Sequence, residues 1–560
     1  MKYLIIGGVA GGATTAARLR RMDEQADIIL FERGQHISYA NCGLPYYIGG
    51  TINNRDELLL QTPISFGNRF NVDVRVNEEV TAIDPQKHSV SVTNLKNGKS
   101  YEETYDKLVL ATGAKPVIPS IDGINLSGVF TLRSIEEADK IKNFITQQLT
   151  PQLQPQAVVV GGGFVGLEMA ENLAHFGCKV TLVEKADQVL TPVDFTIAAP
   201  VMEHLRAKGV QLIVNESVTK IEETKNGLTL QLENGAQLPT NLVIISVGVR
   251  PDVKLAQDCG LKLGEAGAIW VNEYLQTSEP NIYAVGDVIE FPHPVSGKSY
   301  CNYLAGPANK QARFCADNIV QGNTKRYQGA IGTAIAKIFD MSVGCTGLSA
   351  VQLQRANIPF LTSITHSASH AGYYPDAKPL TLKINFSPTN GRLYGGQVVG
   401  YEGVDKRVDM LAAVIAKKGT IYDLIDFDHA YAPPYSSAKD PVTMAGYVAD
   451  NMLNKQVQML QWDELRSLLQ NPESKQNTLL IDVRSNVEYR SGTIEDAVNY
   501  PVDEIREFLD DIPKDKMLVL FCAVGLRGYV ASRILMQSGF SEVYNLSGGI
   551  TTYRLATKYK

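Results

Sequence analysis

The amino-acid sequence predicts a multidomain α/β protein, and three observations predict it. A strand, a glycine turn and a helix open the chain; the same unit returns near residue 157; and after residue 457 the composition changes and a new strand-like run begins. At 560 residues the chain is too long for one core, since domains run to roughly 100 to 200 residues each. A hydrophobic share of 44%, a charged share of 20% and a net charge of −6 belong to a globular protein and give no electrostatic case for a nucleic-acid partner. The opening MKYLIIGGVAGG meets glycines too soon for a membrane span or a secretory apolar segment. It reads as a buried strand of a cytoplasmic protein. Cysteines at 42, 178, 259, 301, 315, 345 and 522 show neither CxxC nor zinc spacing, which disfavours a disulfide scaffold and a structural metal.

In KYLIIGGVAGGATTAARLRRM an apolar strand meets a turn at Gly7, Gly8, Gly11 and Gly12 and then a helix rich in Ala and Arg. Glycines there let the backbone approach a pyrophosphate, while free N–H groups and the positive end of the helix dipole face the anion. A second strand, ADIILFE, ends in Glu32, twenty residues past Gly12, where a carboxylate can accept both hydroxyls of a ribose. The arrangement repeats in AVVVGGGFVGLEMAENLAHFG, with Gly161, Gly163 and Gly166, and KVTLVE ends in Glu184, eighteen residues after Gly166. Two dinucleotides are therefore expected.

Two further strings lie in order between and after these units: LVLATGAKP, with Thr112 and Gly113, and IYAVGDVIE, with Gly286 and Asp287. Taken together the four signals resemble the pyridine nucleotide-disulfide oxidoreductase superfamily over residues 1 to about 445. The resemblance implies two Rossmann-like three-layer domains: an FAD-binding domain from 1–115 and 245–325, and an NAD(P)H-binding domain, 116–244, inserted into it. An α+β dimerisation domain, 326–445, and hence a homodimer, would follow; the linker after it, 446–457, falls in YVADNMLNKQV, which reads as a helix-like stretch. It also implies dinucleotide contacts from Ala10, Arg33, Asn41, Val80, Arg133, Phe164, Val165, Gly248, Pro307 and Ala308. Glu184 favours NADH, because a carboxylate repels the 2′-phosphate of NADPH; Lys185 beside it leaves NADPH possible.

The stretch SYANCGLPYY contains one cysteine, Cys42, and Tyr47 stands where a second redox cysteine would fall. Either Cys42 is packing or its partner sulfur lies elsewhere. Within the superfamily a lone cysteine four residues after a serine, here Ser38, suggests two chemistries. One is that of peroxide and oxygen reductases, NADH peroxidases and oxidases, which cycle through a cysteine sulfenic acid. The other is that of coenzyme A-disulfide reductases, which form a mixed disulfide with the coenzyme's thiol. The full string closely resembles the latter, and so do HSASHAGYYP (366–375) and AYAPPYSSAKD (430–440), which place Tyr373 and Tyr431 as tyrosines reaching the active site of the partner subunit. The same resemblance puts coenzyme A against Thr14, Arg18, Arg21, Ser38 and Asn41; Arg69 stands near where the family often has a lysine. A reading of His366 and His370 as metal ligands lacks a third ligand, so no metal is expected.

The last hundred residues are a separate unit. In MLVLFCAVGLRGYVASRIL a buried strand meets Cys522, a loop closing at Arg527 and a helix carrying Arg533. A sulfur between a strand end and a helix N-terminus is surrounded by backbone N–H groups, which favours a thiolate or persulfide. With DVR, Glu488 and the closing LSGGI, residues 458–560 resemble an α/β rhodanese domain, and the six-residue loop from Cys522 to Arg527 favours sulfane sulfur over a tetrahedral oxyanion. The combination resembles fusions that reduce persulfides and polysulfides. It implies that NADH reduces FAD, that Cys42 attacks a sulfur–sulfur bond, and that Cys522 carries a persulfide.

Overall fold

Lys2–Ile6 is apolar on both faces and almost wholly buried, as the middle strand of a covered parallel sheet must be. It pairs in parallel with Asp27–Glu32 and Lys107–Leu110, and Asp73–Val76 and Ile282–Ala284 close the two edges. The second sheet repeats this plan around Gln156–Val160, with Lys179–Val183 and Leu242–Ile245 beside it and Gln211–Ile213 and Val129–Phe130 at the edges. Each sheet has its own antiparallel meander, Glu78–Asp84 to Ser100–Thr104 and Val218–Thr224 to Gln237–Thr240. In both meanders the first pair slips register, at Val80/Ala82 and at Val218/Lys220. Helix, parallel sheet and meander give each copy its three layers.

The computed structural model describes residues 1–149, 154–225 and 227–560, and these form two compact units. Met1–Val189 and Arg206–Gly332 contain the two parallel sheets above; Leu190–Leu205 and Thr333–Lys560 make the other. In the latter, an antiparallel sheet runs Ala334–Ile338, Met341–Gly347, Leu393–Gly400, Pro379–Phe386, Leu361–Ala368. A parallel sheet follows in the order Gln458–Leu460, Val543–Leu546, Met517–Phe521, Thr478–Asp482, Val498–Asn499. Between them the stretch expected as a linker is mostly helix: Pro441–Leu453 starts at an Asp440 cap and buries Val442, Ala445 and Ala449. Its apolar face ties it to the antiparallel sheet, so that only 454–457 connects freely in sequence between regular elements.

The glycines at both turns are there for steric reasons. Gly7 has φ +102°, and a Cβ on it would lie 2.3 Å from Ala111 O; one on Gly12 would lie 1.7 Å from Gly7 O. Gly161, φ +107°, and Gly166 repeat this, with 2.3 Å to Ser246 O and 1.9 Å to Gly161 O. No side chain fits between the helix and the strand end it leaves.

The helix Ala10–Met22 carries an arginine that the pattern did not single out. Arg20 is 5% exposed, and its guanidinium donates to five backbone carbonyls, Phe70, Asp23, Glu24, Ala26 and Asn71, at 2.6–3.1 Å. That uses every N–H a guanidinium has, and it fastens the end of the helix Pro63–Phe70 to the first helix. Arg20→Met is expected to destabilise the first unit by about 2–4 kcal/mol through the unpaired carbonyls, read as a lower urea midpoint. The exposed neighbour change Arg21→Met should shift stability by less than about 0.5 kcal/mol.

Candidate active sites

At the first glycine turn Glu32 accepts hydrogen bonds from the N–H groups of Gly8 and Gly34, both at 2.8 Å. Glu184 does the same at the second turn, accepting from Gly162 at 2.6 Å and Ala186 at 2.7 Å. Each carboxylate thus bridges its own strand end and the glycine turn. Neither following helix, Ala10–Met22 nor Phe164–His175, has a side-chain cap, so its first-turn N–H groups face outward for an anion. A Cβ on Gly163 or Gly248 would meet nothing within 4 Å. The residues present therefore fit a dinucleotide at each turn.

Asp287 closes the first of these sites. It is paired with Arg133, Nη2 to Oδ2 at 2.9 Å, and burial pushes its carboxyl up while Arg133 opposes that. Gly113, φ +70°, lies under the same arginine, and Gly286 N–H donates to Gln311 Oε1 at 2.7 Å beside Ala308. Thr112 Oγ1 donates to Asp252 O, and the Asp252 carboxylate meets Lys115 at 3.0 Å and Arg33 at 3.5 Å. Pro307 is half-buried near the start of the helix Ala305–Gln321. Phe164 is half-buried and Val165 is 41% exposed on the second turn. Val80 differs from its expected role: its side chain is 5% exposed and belongs to the core, so only its backbone can meet a ligand.

Cys42 sits in a short helical turn, Asn41–Gly43, that leads into the helix Leu44–Ile48. The turn hangs from the first glycine loop, because Ser38, at φ +46°, donates its N–H to Gly8 O at 2.8 Å. Ala40 N–H to Leu58 O at 2.9 Å and Leu60 N–H to Ser38 O at 3.0 Å hold it from the other side. Gly43 is packed so closely that a Cβ would lie 2.6 Å from Leu58. The Cys42 side chain is exposed, and all seven cysteines are free of disulfides. Tyr47 is buried, donates to Asp139 at 3.2 Å, and lies under the Lys142 ammonium, 3.8 Å from the ring centroid. It locks the short helix where a second thiol would otherwise stand.

Burial pushes the Cys42 thiol up, and Glu168 adds to this, while Arg133 draws it down. Glu168, in the first turns of the helix Phe164–His175, was not expected; burial and Glu171 push its own carboxyl up to about 7. The signal for it was present as the acid two residues after Gly166.

Of the residues expected at the coenzyme, Thr14 and Arg18 face the helix Ala305–Gln321. Thr14 Oγ1 is 2.5 Å from Asn309 Oδ1, and Arg18 Nε pairs with Asp317 at 2.7 Å. Arg18 is thus already compensated, while Arg21, Arg69, Lys310 and Arg313 are exposed. Asn309 and Arg313 border the same surface from a segment about 290 residues away, which no local spacing could have shown.

In the other unit Tyr373 and Tyr431 meet hydroxyl to hydroxyl at 2.9 Å. Tyr431 borders a cavity of about 620 Å³ with Tyr435, His370 and Lys406. The imidazoles of His366 and His370 are engaged in hydrogen bonds: His366 bridges the hydroxyls of Thr381 and Thr552, and His370 those of Ser369 and the Pro375 carbonyl.

Cys522 lies at the end of Met517–Phe521, 1% exposed, its sulfur accepting from Gly525 N–H at 3.1 Å. The loop is shorter than its sequence suggests: the helix Leu526–Gln537 begins before Arg527, which therefore sits in the first turn. Arg527 reaches Cys522 and forms a two-pronged pair with Glu488 at 2.6 and 2.7 Å.

Two nucleotide-binding turns on matching parallel sheets, with a free thiol suspended from the first of them, define a two-dinucleotide flavin oxidoreductase. Residues 1–314 match the pyridine nucleotide-disulphide oxidoreductase family, 333–443 its dimerisation domain and 461–556 the rhodanese-like domain. A coenzyme A disulfide reductase of Staphylococcus aureus is 35% identical over 455 residues, 80% of this chain and 99% of that one. The structure of reduced Bacillus anthracis CoADR-RHD superposes with a TM-score of 0.95 at 44% identity, covering 100% of this chain and 98% of that one. An NAD-dependent persulfide reductase from A. fulgidus gives 0.91 at 38% identity, covering 99% and 100%. The chain belongs to the pyridine nucleotide-disulphide oxidoreductase family and carries a C-terminal rhodanese domain. FAD and NAD(H) are the cofactors of that family.

Glu168→Gln removes a carboxylate that raises the Cys42 thiol. Alkylation of Cys42 by iodoacetamide should therefore speed up about threefold to tenfold above pH 7, where Glu168 is ionised in the wild type, and stay unchanged below pH 6. A rate constant independent of this substitution at pH 8 would rule the coupling out.

Proposed function

We propose that this chain is an FAD-dependent NAD(P)H oxidoreductase that reduces coenzyme A disulfide, persulfide or polysulfide through Cys42, with Cys522 as a separate sulfane-sulfur carrier. The observation that supports it most is the state of Cys42: an exposed, unpaired thiol hung from the first glycine turn, with buried Tyr47 in place of a second sulfur. Its partner sulfur then comes from a substrate. The relatives that share both halves of the chain support the same reading.

In this reading the Cys42 thiolate attacks one sulfur of R–S–S–R′, a Cys42–S–S–R bond forms, and R′–S⁻ leaves. FAD, when bound, supplies the two-electron relay from the nicotinamide that returns Cys42 to the thiolate. Arg133 draws the Cys42 thiol down against burial and Glu168, and it pairs with Asp287, which would help to hold the flavin. Glu32 and Glu184 would accept from the two riboses, and the carboxylate at Glu184 favours NADH. Ser38, Asn41, Thr14, Arg21 and Arg69 would hold the coenzyme A arm and phosphates, with Arg18 fixing the neighbouring helix. Tyr373 and Tyr431 would act across a homodimer, on the partner's Cys42 site.

The domain limits follow as FAD-binding 1–115 with 245–325, NAD(P)H-binding 116–244, dimerisation 326–445 and rhodanese 458–560. Seven free thiols fit a reducing, cytoplasmic setting; no helix among the described residues is long and apolar enough to cross a membrane.

Cys42→Ser should lower NADH-dependent reduction of coenzyme A disulfide at least about a thousandfold, with flavin absorbance retained. Turnover close to the wild type would remove Cys42 from the reaction. Cys522→Ser should end sulfane transfer yet leave coenzyme A disulfide reduction within about twofold; parallel loss of both activities would show one site rather than two. Reoxidation of the reduced enzyme faster by peroxide than by coenzyme A persulfide would favour the peroxidase chemistry instead.

A further inference from the structure

The second nucleotide turn has an acid that the sequence pattern did not mark. Past the ends of the strands Lys179–Val183 and Gln211–Ile213 the backbone stays paired: Glu184 N–H donates to Ile213 O at 2.9 Å, Asn215 N–H to Ala186 O at 2.9 Å and Glu216 N–H to Glu184 O at 3.1 Å. These bonds lay Glu216 beside the terminal acid Glu184, off the carboxyl ends of two neighbouring parallel strands, which is where a nucleotide lies on such a sheet. Glu184 is fixed by the protein itself, since each of its carboxylate oxygens accepts an N–H, one from Gly162 and one from Ala186. Glu216 is not held in this way. It is 8% exposed, its Oε2 is shielded from solvent, and no donor meets that oxygen among the described residues.

A buried carboxylate oxygen without a donor is unfavourable, and a ligand that brings the donor removes that cost. The adenosine end of a nicotinamide dinucleotide brings ribose hydroxyls, and NADH keeps the 2′-hydroxyl among them. NADPH has a phosphate in its place, of about −1.5 to −2 charge. That group offers a carboxylate repulsion instead of a proton, and the repulsion is least screened where the carboxylate is buried. Lys185 is exposed and stands among Glu184, Asp187 and Glu216, so the stretch keeps a net negative charge.

We propose that Glu216 is a specificity-determining residue of the second dinucleotide site: beside Glu184 it accepts from the adenosine ribose and discriminates against a 2′-phosphate. This rests on the reading that the second turn binds a nicotinamide dinucleotide, and it decides between the two in spite of Lys185. Glu184 supplies the rigid acceptor at the glycine turn. Glu216 supplies the acceptor that has no other partner, together with a second negative charge. The selection is made at the adenosine end, so it acts on binding and not on hydride transfer.

The test uses the full-length, FAD-loaded enzyme and two probes that lack a nicotinamide, ADP-ribose and 2′-phospho-ADP-ribose. They are titrated by calorimetry in saturating coenzyme A, so that neither is read at the coenzyme's own site. ADP-ribose should bind at least about thirtyfold more tightly. Glu216→Gln, which keeps the shape and removes the charge, should cut that ratio about tenfold, mainly by tightening the phosphorylated probe, while Glu216→Asp should hold it within about threefold. Raising ionic strength from about 0.05 to 0.5 M should narrow the wild-type ratio as well, which reads the repulsion without any substitution. A wild-type ratio near one, or a ratio that Glu216→Gln leaves unmoved while both probes bind, would overturn the selectivity and leave the second turn a dinucleotide site. Binding of neither probe by the wild type would overturn that reading of the turn and the proposal with it.

Discussion

A contact that leaves no room for a methyl group organises the first unit. The helix after each glycine turn starts against the strand that precedes it, within 1.7 Å of where a Cβ at Gly12 would fall and 1.9 Å for Gly166. That closeness points the first-turn N–H groups out of the sheet edge, where a pyrophosphate can lie. It also fixes what is attached to the turn. Glu32 is bonded to Gly8 N–H, and Ser38 N–H to Gly8 O, so the nucleotide turn and the Cys42 turn share one residue, Gly8. A shift in the glycine loop would move the reactive sulfur with it.

The two sulfurs are set in opposite surroundings by the same kind of residue. At Cys42 an arginine paired with a buried acid, Arg133 with Asp287, lies close enough to draw the thiol down against burial. At Cys522 the arginine, Arg527, is paired with the half-buried Glu488 and also reaches the sulfur, which accepts from the Gly525 N–H. At Cys42 burial and Glu168 outweigh the arginine and the thiol is raised, while at Cys522 the sulfur meets a backbone N–H and an arginine that is itself clasped by a carboxylate.

Much of this was legible in the sequence because it is local. Strand, glycine turn, helix and terminal acid lie within about thirty residues at each copy; the first acid closes its strand at Glu32 as predicted, and the second strand ends at Val183, one residue before Glu184. The Cys42 and Cys522 turns are equally local. What stayed hidden depends on distant pairing or on side-chain direction. The run RLRRM reads as three similar cations, yet helical rotation buries Arg20 among carbonyls, sends Arg18 to Asp317 and leaves Arg21 outside. Glu168 gains its meaning from Cys42, which lies over a hundred residues earlier. The helical character of Pro441–Leu453 is legible, but that it packs on the antiparallel sheet rather than linking freely is not.

The string LSGGI was recognised only by likeness, and the structure supplies its physical reason. Gly548 and Gly549 have φ +70° and +59°, and a Cβ on Gly549 would lie 2.4 Å from Cys522 O. The chain crosses directly behind the reactive loop, where Ile550 N–H donates to Cys522 O at 2.9 Å and Thr551 N–H to Ala523 O at 3.1 Å. Thr552 then bonds His366 at 2.8 Å, and His366 bonds Thr381 on the neighbouring strand of the antiparallel sheet at 2.9 Å. Burial pushes His366 down to about 4, so near neutrality the ring is uncharged and has one donor and one acceptor nitrogen, which two hydroxyls can satisfy. The carbonyl of Cys522 is thereby tied to the antiparallel sheet through the Ile550–Thr552 backbone and the hydrogen bonds at its two ends. Its loop is braced from behind as well as by Gly525 in front, and sulfur can leave Cys522 without the backbone of that loop having to move.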